Sequence, residues 1–253
     1  MSQCHGEPPA KFYQLVISRV TPGVARGTVP GMPKAARRTR TPTPPTDAVA
    51  PRPPRAARVE KEQAILREAE AQFARYGFEG ASLESIAAAL GLSRHNLLYY
   101  FPSKEVLYRR VLDDVMTQWL AGMGELAVGD DPESGLRRYI AAKLRSSRER
   151  PDGSAVFTQE IIAGAPRYAD AITTRVAPVL AADVRVFDRW ARQGRIARLD
   201  FRHLMFVIWA VTQAYADLAP QFALLLGKPA LDRADFSAAQ AVIERLVLRG
   251  VAR

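Results

Sequence analysis

Residues 82–105, SLESIAAALGLSRHNLLYYFPSKE, carry the start and stop signals of two short helices in immediate succession. Ser82 can cap the first helix, because a serine side chain accepts a hydrogen bond from the helical backbone, and apolar residues follow at one-face spacing. Gly91 supplies a sharp turn, Ser93 can cap the second helix, and a Phe-Pro pair stops it. Two short helices joined in this way predict a helix-turn-helix, whose second helix enters the major groove of DNA.

The candidate DNA contacts lie at the start of the second helix and around it. Residues at this position in a helix-turn-helix meet base edges, while their neighbours bind phosphate. Arg94 can form paired hydrogen bonds to guanine and Asn96 to adenine. A tyrosine can contact phosphate or sugar, and Lys104 stands at a helix N-terminus, which favours phosphate. An ordinary solvated helix face is the alternative for Arg94 and His95. The predicted DNA-binding residues are Ser82, Ser93, Arg94, His95, Asn96, Tyr99, Tyr100 and Lys104.

The charge of the chain is concentrated in a proline-rich segment at its start. Residues 1–58 contribute +8 of the net charge of +10, and residues 1–57 hold eleven of the eighteen prolines. These residues show no helical or strand period, so residues 1–57 are predicted to be a disordered basic tail. One reading is an arm that binds DNA phosphates. One alternative is a solvated tail without a binding site. Another is that translation starts at Met32 and the assigned N-terminus is too long.

The rest of the sequence predicts an all-α fold with about nine helices. Apolar residues recur at helical spacing, and no segment alternates with period two over any length. Glycine and proline mark the breaks between helices. Besides the helix-turn-helix and the helix that starts at Ser103, the predicted helices cover residues 59–76, 133–149, 154–163, 166–193, 200–218 and 232–251.

Several protein classes do not fit the composition. Three histidines and the single Cys4 argue against a zinc finger, a disulfide scaffold or a Cys-His catalytic pair. A glycine-rich phosphate loop is absent from the sequence, so neither an enzyme nor a metal or cofactor is predicted. The longest apolar run, residues 204–211, is short of the about 20 residues that cross a bilayer. We expect a cytoplasmic, nucleoid-associated protein with no membrane partner.

Three motifs in the first predicted domain resemble the signature of the TetR family of repressors. They are FxxYGF at 73–78, SLxxIA at 82–87 and LYYFPSKE at 98–105. The resemblance implies a homodimer on palindromic operator DNA, in which ligand binding changes the separation of the two DNA readers. It also implies a DNA-binding domain at residues 58–104 and a ligand-binding and dimerisation domain at residues 105–253, after the tail at residues 1–57.

Further motifs resemble the Rut regulators of pyrimidine utilisation within that family. They are LLYYFPSKE at 97–105, QWL at 118–120, FTQEIIAGAP at 157–166 and IWAVTQAYADLAP at 208–220. The resemblance runs from about residue 64 to the C-terminus and excludes the tail. It implies control of pyrimidine breakdown, with uracil or thymine as the small-molecule effector.

A polar stripe on a largely apolar helix agrees with a ligand pocket. Trp209, Gln213 and Asp217 are four residues apart, so they share one face of the helix. Gln213 offers both a donor and an acceptor to a ring such as uracil, and Asp217 can accept from a ring N–H. A tryptophan can cover the ring face. The alternative places Gln213 and Asp217 at helix ends or across a dimer interface. The predicted ligand-binding residues are Trp119, Glu160, Trp209, Gln213 and Asp217, although Glu160 can instead bind a local arginine.

The last two long helices carry more apolar residues than one neighbour needs, which predicts a dimer contact. These residues are Phe206, Val207, Tyr215, Phe236, Ala239, Val242, Ile243, Leu246 and Val247. The helix from Lys104 past Trp119 is the predicted link between ligand and DNA. Two alternatives stay open: a TetR-type repressor that responds to a different small molecule, and an effector-independent DNA-architectural protein.

Overall fold

The computed structural model describes residues 55–127 and 130–253, and all regular secondary structure in these residues is helical. The all-α prediction is confirmed. The proposed arm within residues 1–54 lies outside the described residues. The α-helices are α1 Arg55–Gly80, α2 Leu83–Ala89, α3 Arg94–Tyr100, α4 Lys104–Met123, α5 Pro132–Glu149, α6 Pro151–Ile162, α7 Ala169–Ala171, α8 Ala177–Arg192, α9 Phe201–Asp217, α10 Ala219–Leu225 and α11 Arg233–Val251. A 3-10 helix, Gly124–Ala127, follows α4, and the π-helical Ile172–Val176 joins α7 to α8.

The first helix starts earlier than its apolar stripe indicates. It begins at Arg55, inside the predicted tail, because Ala56 and Ala57 favour a helix once α1 is anchored by packing. Near its other end the backbone leaves the helical conformation at Gly77, with φ 69° and ψ 175°. This left-handed φ suits glycine and marks the chain break that the sequence places there.

Helices α1 to α3 form a small bundle at one end of the molecule. Phe73 of α1, Ile86 of α2 and Leu97 of α3 are fully buried and belong to one apolar cluster. The turn between α2 and α3 has Gly91 at φ +64°. The bundle rests on α4, because α1 packs along it and Tyr108 of α4 meets Phe73 edge to face at 4.9 Å.

The larger part of the molecule is built around α5, α6 and α9. Helix α9 packs on α5 and α6, α11 packs on α5, and α4 lies against α1, α5 and α6. Tyr139, Trp190 and Met205 are fully buried in this core. None of the helices in residues 55–127 and 130–253 has the length and apolar composition that a membrane crossing requires.

Two prolines start helices instead of separating them. Helix α6 begins at Pro151 and α10 has Pro220 in its first turn, because proline lacks only an N–H that the first turn leaves unpaired anyway. Gly153 is a helical residue and not part of a break: a Cβ there would lie 2.9 Å from Cγ2 of Val115, so the glycine lets α6 approach α4 closely. Helix α10, which the sequence did not predict, raises the count above the predicted nine.

The apolar residues predicted for a dimer contact divide into two groups. Phe236, Ala239, Ile243 and Val247 are buried in the core of their own chain, and Tyr215 packs against Phe222 and Phe236. The others stay exposed in the single chain and form an apolar face on α9 and α11: Phe206, Val207, Val242 and Leu246.

Candidate functional site

Two serine caps set the geometry of the DNA reader, the three-helix unit of α1, α2 and α3. The Ser82 hydroxyl accepts a hydrogen bond from the Ser85 backbone N–H at 3.0 Å and starts α2. The Ser93 hydroxyl accepts from the Asn96 backbone N–H at 3.1 Å and starts α3. Each cap satisfies a backbone donor that a helix start leaves unpaired. Both serines therefore orient α2 and α3, whatever contact they make with DNA.

The start of α3 presents the predicted base-reading side chains to solvent. Arg94, His95 and Asn96 are exposed, as is Tyr99, while Tyr100 is half-buried against it. In the absence of DNA, Arg94 is paired with Glu84 of α2, with 2.6 Å between Nε and the carboxylate. Both side chains are more than half exposed, so this pair stabilises little and can exchange for a guanine contact.

Lys104 stands at the predicted helix start but its ammonium turns back toward α1. It donates to the backbone carbonyl oxygen of Glu79 at 3.1 Å and lies 4.6 Å from the centroid of the Phe78 ring. Its ammonium carries three N–H donors, so a phosphate contact can form beside the contact with this carbonyl. Ser103 caps α4 through the Val106 N–H at 3.2 Å.

A cavity of about 210 Å³ lies between α4, α5, α6 and α9. It is smaller than the roughly 300–1,000 Å³ of pockets for drug-sized ligands, so it fits a single small ring. Its walls are mostly apolar, and two of its three aromatic rings come from predicted ligand residues. The lining residues are Met116, Trp119, Met123, Lys143, Phe157, Ile161, Ile172, Val176, Trp209 and Gln213.

A larger groove between α4 and α5 contains none of the predicted ligand residues. It measures about 550 Å³ and is lined by charged and small side chains, including Arg138, Arg145 and Glu149. This lining offers no aromatic ring on which a planar ligand could stack. The smaller cavity is therefore the better candidate for a ligand site.

The aromatic residues of the cavity are fixed by their neighbours. Trp119 meets Phe157 edge to face, with ring centroids 4.8 Å apart. The indole N–H of Trp209 donates to the hydroxyl of the buried Tyr139. Because that N–H is already paired, Trp209 offers the cavity mainly its ring.

A hydrogen-bond network holds Gln213 at the cavity wall. Its side-chain amide N–H groups donate to the Thr158 hydroxyl at 2.8 Å and to the Asp217 carboxylate at 3.1 Å. Asp217 also accepts from the hydroxyls of Ser154 and Thr158, at 2.7 Å each. Asp217 is not among the cavity-lining residues, and its oxygens already have three donors. In this geometry it positions Gln213 and Thr158, and its contact with a ligand N–H stays a prediction.

Lys143 is a cavity residue that the sequence analysis missed. It belongs to α5, is buried, and places its ammonium 4.4 Å from the centroid of the Trp119 ring. Burial lowers the pKa of Lys143 to about 8, against the opposing effect of the Asp217 charge. The signal was present in the sequence, because Lys143 shares the apolar stripe of Leu136, Tyr139 and Ile140.

Glu160 lies away from the cavity, in the contact between α6 and α4. It is buried, and its carboxylate accepts from the backbone N–H of Arg167 at 2.6 Å. Burial raises the pKa of the neighbouring Tyr108, and the Glu160 charge raises it further. Glu160 thus has the Arg167 backbone N–H and the Tyr108 side chain as partners, and its contact with a ligand or with an arginine side chain stays a prediction.

The loop after α6 binds the end of α1 at the DNA reader. The guanidinium of Arg167 lies 3.6 Å from the centroid of the Phe78 ring and pairs with Glu79 at 3.0 Å. Within α6 itself, Gln159 donates to the backbone carbonyl of Ala74 at 2.8 Å. Helix α6 therefore contacts the reader with one side chain and lines the cavity with others.

Within residues 55–127 and 130–253, no three His, Cys, Asp or Glu side chains are grouped so that they could hold a metal ion. Two candidate sites emerge from the predicted residues: the exposed start of helix α3 and the small aromatic cavity.

Two family models match consecutive parts of the chain. The model for bacterial regulatory proteins of the tetR family matches residues 65–111, and the model for the C-terminal region of YcdC-like proteins matches residues 112–253. The chain belongs to the TetR family. TetR regulators bind operator DNA and typically act as dimers with small-molecule effectors, and the helix-turn-helix of α2 and α3 is the DNA-binding element of this TetR regulator.

Curated relatives support the same assignment over most of the chain. The HTH-type transcriptional regulator RutR of Escherichia coli K12 is 38% identical over 191 residues, which are 76% of this chain and 90% of the relative. The RutR of Shigella flexneri gives the same values. These relatives are regulators of transcription, and this TetR-family chain is a ligand-responsive regulator and not an enzyme.

Solved structures share the fold at low identity. The ketosteroid transcriptional regulator KstR2 of Mycobacterium tuberculosis has a TM-score of 0.63 at 19% identity, covering 76% of this chain and 95% of its own. The TetR family regulator PfmR from Thermus thermophilus has a TM-score of 0.60 at 24% identity, covering 75% and 96%. At these identities the likeness extends to the fold alone.

Proposed function

We propose that this protein is a homodimeric repressor of pyrimidine breakdown that leaves its operator when uracil or thymine occupies the cavity. The resemblance of its ligand-domain motifs to the Rut regulators of pyrimidine utilisation motivates the choice of effector, and the 38% identity to RutR supports it. The repressor acts in the cytoplasm on palindromic DNA and needs neither cofactor nor metal.

The observation that carries the proposal is the match between the cavity and a small polar ring. The cavity of about 210 Å³, lined in part by Trp119, Phe157 and Trp209, has room for one planar ring against aromatic side chains. Gln213 donates both of its N–H groups to Thr158 and Asp217, so its carbonyl oxygen is left to accept from a ring N–H. A pyrimidine dione supplies that N–H beside its oxo groups.

The exposed apolar face of α9 and α11 supports the homodimer. Val242 and Leu246 on α11 are 58% and 68% exposed, and Phe206 and Val207 on α9 are 45% and 54% exposed. Burying this face against a second copy stabilises a dimer by removing apolar surface from water. Two copies of α3 then meet two half-sites of a palindrome.

Two elements connect the cavity with the reader. Helix α4 carries Trp119 in the cavity wall and starts beside the reader at Lys104. Helix α6 carries Phe157 and Ile161 in the wall and holds α1 through Gln159 and the following loop. A ligand that moves α6 relative to α4 would shift α1 and α3 together, and a coupling of about 1–3 kcal/mol changes operator affinity about 5- to 150-fold.

Calorimetric titration with uracil, thymine and cytosine tests the effector, in parallel with release of an operator selected from a random duplex library. We expect saturable binding of uracil or thymine and release of the operator over the same concentration range. Gln213→Ala should weaken both at least tenfold, whereas the exposed Gln221→Ala on α10 serves as the matched control and should leave both unchanged.

Three outcomes would contradict parts of the proposal. A Gln213→Ala protein with full pyrimidine response would remove the cavity assignment. Operator binding without response to any of the three pyrimidines would make the protein a TetR-type repressor of a different small molecule. Weak sequence preference with steep salt dependence would instead favour an architectural DNA-binding protein.

A further inference from the structure

A buried ammonium in the cavity wall has no oxygen partner among the residues that the structure describes. Lys143 is 7% exposed and lines the cavity, and its contact is the face of the Trp119 ring. A buried charge is costly unless it is paired or hydrogen-bonded, and a contact with an aromatic face offsets only part of that cost. The side of the ammonium that does not face the Trp119 ring therefore has N–H donors available to a ligand.

The surroundings of Lys143 determine the polarity of that ligand. Asp217 on α9 is the nearby charge that acts on it, but the Asp217 oxygens already accept from Ser154, Thr158 and Gln213. No carboxylate is among the described residues that line the cavity. A cationic ligand would be repelled by Lys143 without a compensating anion, whereas an oxygen acceptor would satisfy it.

We propose that Lys143 recognises an oxo group of the effector, and that Lys143 and Gln213 together read a lactam edge, a ring carbonyl beside a ring N–H. This inference rests on the proposed function and adds to it the residue that selects the ligand class. The Gln213 amide orientation supports it, because a carboxylate only accepts and so the Gln213 nitrogen must face Asp217. The Gln213 oxygen then complements the Lys143 donor.

This arrangement also defines what the cavity excludes. A ring amine or a charged amine at the Lys143 position would place donor against donor, and an entirely apolar ring would leave the ammonium unpaired. A thiocarbonyl sulfur accepts hydrogen bonds more weakly than a carbonyl oxygen, so replacing the recognised oxygen by sulfur should weaken binding. The predicted ligand class is a small planar oxo heterocycle.

A chemical double-mutant cycle tests the contact. Uracil, 2-thiouracil and 4-thiouracil are titrated by calorimetry into the wild type and into Lys143→Met, with the exposed Arg145→Met on the same helix as matched control. A hydrogen bond to a charged group corresponds to about tenfold to 100-fold in affinity. We expect one thio analogue to bind the wild type at least tenfold more weakly than uracil, and Lys143→Met to lose this discrimination.

The outcomes separate this inference from the proposed function. If Lys143→Met binds uracil within about twofold of the wild-type affinity, the Lys143 contact is overturned but the pyrimidine effector is not. Equal affinity of the wild type for uracil and both thio analogues would have the same consequence. If the wild type binds no pyrimidine, 2-pyridone, hydantoin and succinimide are titrated in their place. Lactam binding that requires Lys143 would support the inference without the pyrimidine function, and absence of any lactam binding would overturn both.

Discussion

Replacing Lys143 by methionine should stabilise the ligand-free protein, although it removes the proposed ligand contact. Lys143 is buried against Trp119, and methionine has a similar unbranched shape without the charge. The wild type must bury an ammonium at neutral pH, whereas the variant buries only apolar atoms. A group that serves a ligand is expected to cost stability in the empty site.

The magnitude follows from the pKa of Lys143, which burial lowers from 10.5 to about 8. The unfolded chain binds the proton more tightly than the folded chain, so the stability of the wild type falls as the pH drops through this interval. Below pH 8 the full penalty is present, about 3 kcal/mol at about pH 7, and it shrinks to roughly half of that at about pH 9.5.

Thermal and urea unfolding of both proteins at the two pH values, at one protein concentration, measures this difference. At about pH 7 the variant should melt roughly 6 to 12 °C higher than the wild type, since 1 kcal/mol corresponds to about 2–4 °C at this chain length. About half of the gain should disappear at the higher pH. A gain that does not depend on pH, or a variant less stable than the wild type at neutral pH, would refute the reasoning.

The other predictions concern coupling, assembly and DNA affinity. Arg167→Met should keep effector binding but reduce operator release several-fold, because the guanidinium that contacts the reader is lost. The exposed Arg110→Met serves as the control. Unchanged operator release by Arg167→Met in a fluorescence-anisotropy assay would contradict this prediction. Leu246→Glu should convert the dimer into a folded monomer in light scattering, and a persistent dimer would place the interface elsewhere. Glu84→Gln should raise operator affinity by up to about fivefold, because it releases Arg94 and removes a negative charge near phosphate. Equal or weaker operator binding would show that the Arg94–Glu84 ion pair does not compete with DNA. Arg94→Ala should cost about 1–3 kcal/mol of operator affinity and relax the preference at one base, measured by competition with substituted operators.

The DNA reader could be predicted almost completely from the sequence. Its caps, its turn glycine and its buried leucine are local signals, because each depends on residues three or four positions away. Ser82 and Ser93 accept from the N–H groups three residues on, and Gly91 has the positive φ that its position requires. Local hydrogen bonds and backbone sterics are encoded in short segments, so sequence spacing is sufficient there.

The ligand domain shows where sequence spacing is insufficient. Trp209, Gln213 and Asp217 do share one face of α9, as their spacing predicts, but spacing assigned no partners to them. The tertiary structure gives Asp217 to Ser154 and Thr158 of α6 and leaves only the other two in the cavity wall. Which polar side chains form hydrogen bonds within the protein, and which face the cavity, depends on how the helices pack, and helix packing is a long-range property.

What the sequence determined by itself was the all-helical class, the reader and the existence of a polar stripe, because helix periodicity and capping act over one or two turns. What the tertiary structure decided was the content of the site. Lys143 lies on a helix that the sequence marks only by an apolar stripe, and it becomes a cavity residue because α4 and α9 close over it. The role of Gly153 was decided in the same way, because its missing side chain lets α6 approach Val115 of α4 closely within a continuous helix.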